Sequence, residues 1–193
     1  MTARDPNIEE DVRAMVRGIV DGLWGAEEPV DDTPPVPNDE VRIVAIGGDH
    51  GGFALKERLA FKLTEQGFEV IDCGTDSVDA VDYPDIASDV ARRVSSGEAN
   101  AGVMIDGAGI GSAMVANKIP GVRAAHCYDI STARNAREHN HANVLTLGAG
   151  LTGDALAWQI TQEFLATPYG EGRHARRVAM IDVLDTASME STT

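Results

Sequence analysis

Three stretches of this 193-residue chain set reactive side chains among glycines. GGDHGG (47–52) holds Asp49 and His50 between two glycine pairs. An acid beside an imidazole suits proton movement near neutral pH, though such a pair is also a common loop feature. DGAGIGS (106–112) ends an apolar run on Asp106 and continues through Gly107, Gly109, Ile110, Gly111 and Ser112. Its glycines let the backbone turn tightly and offer N–H groups to a phosphate or a developing oxyanion, or simply make a tight turn. Asp106 reads two ways, as a base at the lip of an anion-binding loop or as the N-cap of the next helix. GRHARR (172–177) gathers Arg173, His174, Arg176 and Arg177. Arg173 and Arg177 are four apart, a fork for a phosphate dianion on one helix face or a solvated basic face.

Other patterns carry less. A dinucleotide fingerprint would need glycine where Ser112 stands, although Asp129 lies about 20 residues on, where a ribose-binding acid belongs. His139 and His141, two apart at a helix end, do not face one point, and no third ligand is identifiable, so no metal is expected. His126 and Cys127 read as core residues at a strand end.

The elements that must position these groups begin at Val41. VRIVAI, FEVIDCG, AGVMID, VRAAHCYD and ANVLTLG read as apolar strands, each followed by a helical pattern. The third helix is expected through Ser112–Lys118, and a last one over about Gly172 to Leu184. Five βα units with strands this apolar predict a parallel sheet buried on both faces. The expected fold is therefore a doubly wound, Rossmann-like α/β domain over 41–184, with residues 185–193 as a disordered tail. Ligands of such sheets bind outside the carboxyl ends of the strands. GGDHGG and DGAGIGS fall there, whereas His139 and Asn140 close the helix before the fifth strand, at the opposite edge of the same subunit.

Residues 1–25 predict an amphipathic helix, with Ile8, Val12, Met15, Val16, Ile19, Val20 and Leu23 on one side. Residues 26–40 are an acidic, proline-rich linker. Eleven acids against three arginines give residues 1–40 a net charge of −8, about half of the chain's −15. That balance opposes nucleic-acid and anionic-membrane binding, which need clustered cations. Two lone cysteines, Cys73 and Cys127, suggest a reducing cytoplasm. No secretory leader and no membrane span are expected.

Taken together, IGGDHGGFALKERL, EVIDCGTDSVDAVDYPDIA, GAGIGSAMVANKIPGVRAAHCYD, TARNAREHNHANVLTLGA and EGRHARRVAMID resemble the type B ribose-5-phosphate isomerases and galactose-6-phosphate isomerase subunits, over about 41–183. The resemblance implies aldose–ketose isomerisation of a sugar phosphate through an enediolate, with no metal or organic cofactor. It implies that Asp49 and His50 contact the sugar and that His139 helps open its ring. Asn140 and the amides of Gly107–Gly111 would hold the oxyanion, Tyr83 would line the pocket, and Arg173 and Arg177 would grip the phosphate. Family members are dimers or tetramers whose sites combine two subunits.

The chain departs from the family at the reacting loop. Asp106 stands where many members carry the proton-abstracting cysteine, and Ala108 replaces the threonine that positions that thiol. Ser112 stands where other members place a substitute glutamate, and Gly150 replaces a usual arginine. Asp106 as the base is the leading expectation, with a four- to six-carbon sugar phosphate as substrate. The cap remains the other reading, and a catalytically impaired binder of sugar phosphates or a nucleotide-dependent oxidoreductase the alternatives. In form, the N-terminal segment is similar to the peptides that target enzymes to bacterial microcompartments, which points to a shell protein as partner for residues 8–24.

Overall fold

Runs of Val, Ile and Ala alternating with amphipathic stretches build the predicted layers. The computed structural model describes residues 13–16, 18, 41–170 and 172–190. The chain divides into two units, Met1–Pro34 and Pro35–Thr193. In the first, residues 13–16 and 18 are helical, with Met15 and Val16 exposed. The rest of the expected amphipathic helix and the whole 26–40 linker lie outside the described residues.

The second unit runs β1 (Ile43–Gly48), α1 (Phe53–Glu65), β2 (Glu69–Asp72), α2 (Tyr83–Ser95), β3 (Ala101–Asp106), α3 (Ile110–Ala116), β4 (Ala124–His126), α4 (Ile130–Asn140), β5 (Val144–Gly148) and α5 (Asp154–Ala166). A 3-10 turn (Gly172–His174) and α6 (Ala175–Glu190) follow. The strands pair in parallel in the order β2-β1-β3-β5-β4. β3 and β5 are buried at every residue because helices cover both faces. Leu59 and Leu63 of α1 and Ile160 and Phe164 of α5 form one core, whereas Val90 and Ala91 of α2 and Ala116 of α3 form the other. Each such large aliphatic or aromatic side chain contributes roughly 1.5–3 kcal/mol by leaving water. Among the described residues, no helix is long and apolar enough to cross a membrane.

From β1 the chain passes to β2 on one side and then returns to β3 on the other, so the strand order reverses between β1 and β3. The crevice at their carboxyl ends is the topological switch point, where such sheets bind ligands. The Asp49 N–H donates to the Ile105 carbonyl at 3.2 Å, which ties the two strand ends together.

Two boundaries differ from expectation. α3 begins at Ile110, ahead of the predicted start at Ser112, because Gly109 takes a left-handed φ of 78° and completes the turn within the loop. The last helix begins only at Ala175, since Gly172 at φ 65° opens a 3-10 turn first. It then continues past Leu184 to Glu190, six residues of the expected tail, over a stretch free of glycine and proline. Arg173 and Arg177 therefore sit on successive turns of different helix types rather than on one α-helix.

Candidate active site

At the carboxyl edge the structure brings Asp49, His50, Tyr83 and the 106–112 loop together. Asp49 is 7% exposed, and its Oδ1 accepts from the Gly52 N–H at 2.9 Å. His50 is exposed, and its Nδ1 accepts from the Val81 N–H at 3.3 Å, linking the segment after β1 to the one before α2. Tyr83, the first residue of α2, lies against Gly111: a β-carbon added there would stand 2.6 Å from its hydroxyl oxygen. Gly111 is therefore required by close approach.

Lys56, which the sequence reading passed over, supports this edge from beneath. It is 1% exposed, and its Nζ meets Asp72 Oδ2 at 2.5 Å and Glu57 Oε1 at 2.7 Å. Burial would lower its ammonium pKa, but the hydrogen bonds and charges of Asp72 and Glu57 outweigh that and raise it above the ordinary 10.5. A lysine between Leu55 and Leu59 on the apolar side of α1 was the signal available in the sequence.

Asp106 is 5% exposed, and the loop closes around it. Its Oδ1 accepts from the Ala108 N–H at 2.7 Å and from the Gly109 N–H. Its Oδ2 accepts from the Ser112 N–H at 3.2 Å and from the Ser112 hydroxyl. Burial would raise its pKa, yet the Ser112 hydroxyl and the Gly109, Ala108 and Ser112 amides together hold it below the ordinary 3.8. Four donors on two oxygens, with a carboxyl held in its ionised form, make a weak base. Asp106 is not the N-cap of α3, which is Gly109; its carboxylate instead ties the loop to the first turn of that helix. The same bonds divide the expected oxyanion cradle. The Ala108, Gly109 and Ser112 amides serve Asp106, whereas those of Gly107, Ile110 and Gly111 have no acceptor among the described residues.

His126 also bears on the loop. Its Nδ1 lies 3.2 Å from the Thr146 carbonyl, and its ring is packed so closely under Gly109 that an added β-carbon would stand 2.5 Å from Nδ1. Rather than a plain core residue it is a half-buried prop beneath the left-handed glycine. Neither cysteine offers a thiolate. Burial, with Asp89 the next contributor, pushes Cys73 up to about 12, and burial aided by Asp129 pushes Cys127 up to about 11.

The remaining candidates lie at the amino edge. His139 and Asn140 end α4, and the His139 ring stacks on His174 at 4.4 Å between centroids and 8° between planes. Asn135 Nδ2 lies 3.0 Å from His139 Nδ1, and Glu138 Oε1 lies 3.6 Å from its Nε2. Burial and the neighbouring His139, Arg173 and Arg177 charges lower the His174 pKa below 6.5, against a smaller opposing pull from Glu138. Arg173 and Arg177 are exposed and have no carboxylate partner among the described residues. Arg173 Nε donates to His174 Nε2 at 3.4 Å. In a chain of net charge −15, two guanidinium groups without a carboxylate partner beside two stacked imidazoles make a corner suited to a dianion. The six residues of β3 separate the two edges by roughly 17 Å, so one chain does not join its own halves. Among the described residues, no group of three or more His, Cys, Asp or Glu is arranged to hold a metal ion.

The sequence and the fold have close counterparts. A family model described as ribose/galactose isomerase matches residues 44–181. The ribose-5-phosphate isomerase B of Escherichia coli K12 is 42% identical over 142 residues, 74% of this chain and 95% of that protein. That of Mycolicibacterium paratuberculosis is 37% identical over 140 residues, 72% of this chain and 88% of the relative. Among solved structures, the Clostridium thermocellum ribose-5-phosphate isomerase B superposes with a TM-score of 0.74 at 44% identity, covering 76% of this chain and 99% of that one. The Trypanosoma brucei type B enzyme gives 0.72 at 46% identity, with 75% and 99% covered.

Proposed function

This chain belongs to the ribose/galactose isomerase family, and from that premise we propose that it interconverts the aldose and ketose forms of a phosphorylated sugar. The substrate class is four- to six-carbon sugar phosphates, ribose 5-phosphate included, and the route is an enediolate. The observation that carries this is the amino-edge corner, where Arg173 and Arg177 stand exposed and without a carboxylate partner beside the His139–His174 stack, Arg173 donating to His174. Two guanidinium groups hold the phosphate, and His139 donates to the ring oxygen as the sugar opens. Asp49, His50 and Tyr83 hold the sugar hydroxyls, while Asn140 and the unengaged Gly107, Ile110 and Gly111 amides meet the developing oxyanion.

Each site takes its carboxyl-edge half from one copy of the chain and its amino-edge half from a second. Support comes from the roughly 17 Å between the halves and from apolar Ile110, Tyr128 and Leu151, which lie exposed around the carboxyl edge. The enzyme works in the cytoplasm, and residues 8–24 bind a partner, a microcompartment shell protein being the one their form suggests. Exposed Met15 and Val16, among the helical residues 13–16 and 18, support a docking role. Deleting residues 1–38 then abolishes co-sedimentation with shell proteins; unaltered co-sedimentation removes that role.

The test of the activity is a panel of aldose and ketose phosphates incubated with the purified chain, without cofactor, in deuterated water. Product carrying solvent deuterium at C1 or C2 is expected. Asp106, engaged by four donors, and the missing arginine at Gly150 favour a second reading, a sugar-phosphate binder without turnover. Saturable binding without exchange would identify it, and neither binding nor turnover would overturn both.

A further inference from the structure

If the chain is an isomerase, as proposed above, some group must take the proton beside the carbonyl and return it to the next carbon. The loop's two candidates are occupied with each other, since Asp106 and Ser112 are joined by their side chains and by the Ser112 N–H. Both thiols are held protonated by burial. One carboxylate at the switch point remains. Asp49 Oδ1 accepts from the Gly52 N–H, whereas its Oδ2 receives no donor among the described residues. Asp49 and the loop also face a common point. A β-carbon built on Gly51 would lie 3.3 Å from Asp49 Oδ1 and 3.7 Å from the Gly107 nitrogen, whose N–H has no acceptor among the described residues. Gly51 is thus flanked by the Asp49 carboxylate on one side and the Gly107 amide on the other, and carries no side chain to crowd between them.

We propose that Asp49 is the base of the isomerisation and that the Gly107 N–H receives the oxyanion, with Asp106 holding the loop in shape. Asp49 Oδ2 takes the proton from the carbon beside the carbonyl. The C–H electron pair becomes the C=C bond of the enediolate, and the carbonyl oxygen takes the negative charge against the Gly107 N–H. The neighbouring hydroxyl passes its proton to that oxygen. Asp49 then gives its proton to the former carbonyl carbon, and the second oxygen becomes the new carbonyl. One proton has moved between carbons and one between oxygens, with no net gain or loss.

The test follows solvent-deuterium exchange and turnover of an aldose phosphate by the full-length chain and two variants. Asp49→Asn retains Oδ1 as acceptor for the Gly52 N–H, so it should unfold at the wild-type midpoint while turnover and exchange fall about 10²–10⁴-fold. Asp106→Asn should unfold earlier and still exchange. Asp49→Asn activity within tenfold of wild type would overturn the assignment. So would an Asp106→Asn chain of wild-type stability that no longer exchanges. A wild-type chain inactive on every sugar phosphate would instead remove the isomerase reading itself, and this assignment with it.

Discussion

Replacing Asp106 tests whether its carboxylate serves structure. In Asp106→Ala the Ala108, Gly109 and Ser112 amides and the Ser112 hydroxyl all lose their acceptor. Gly109 and Ser112 are buried, so their amides cannot turn to water, whereas half-buried Ala108 partly can. Leaving a buried donor unsatisfied costs about 1–3 kcal/mol, so two give about 4 kcal/mol. That is a large share of the ~5–15 kcal/mol that stabilises a typical domain. With a urea slope of about 2 kcal/mol per molar, the midpoint should fall by about 2 M. Asp106→Asn retains an acceptor for Ala108 and Gly109 but turns an amide donor toward the Ser112 N–H, so about half that loss is expected. The assay is urea unfolding at fixed protein concentration, because association would add its own stability. The folded pKa of Asp106 lies below 3.8, so its stabilisation is complete above that ordinary value and is lost as pH falls through the lower folded one. The gap between wild type and Asp106→Asn should therefore close in acid. An Asp106→Ala midpoint within about 0.3 M of wild type would refute this structural role.

At Gly150 an added β-carbon meets only the Gly107 carbonyl, at 3.0 Å, so Gly150→Arg should fold and lower the KM for sugar phosphates; an unaltered KM would deny this position a phosphate contact. Sulfate, which does not titrate in this range, should bind more tightly as pH falls toward the lowered His174 pKa, because the anion favours the imidazolium. That pH dependence should vanish in His174→Asn; calorimetry showing it intact would place the titrating group elsewhere. Gly109→Ala should cost about 2–5 kcal/mol, from a strained φ of 78° and a contact 2.5 Å from His126 Nδ1. His126→Ala in the same chain should recover only part of this, since the φ and the Leu147 backbone carbon at 2.9 Å remain; full recovery in thermal unfolding would mean that neither costs much.

The sequence by itself determined the layered α/β body, because strands buried on both faces must be apolar throughout and helices covering a sheet must be apolar on one side. It also determined which segments reach the carboxyl edge, since a βα unit always presents its strand-to-helix turn there, and the family follows from five stretches in register. It separated His139 and Asn140 from that edge by counting along the last βα unit. What it left open was how each polar group is employed. Asp106 was the only titratable side chain in its loop, and nothing along the chain reveals that four donors would fold back onto it. Those bonds depend on Gly109 at a positive φ and on α3 starting at Ile110, and both are set by packing against His126, Tyr83 and the end of β5. Likewise, GRHARR read as one helical face, but Gly172 breaks it into two kinds of turn, and only the folded chain lays His174 on His139. Hydrophobic periodicity is local and specifies elements. The protonation and availability of a carboxylate depend on donors supplied by whatever else reaches it, and that only the tertiary structure decided.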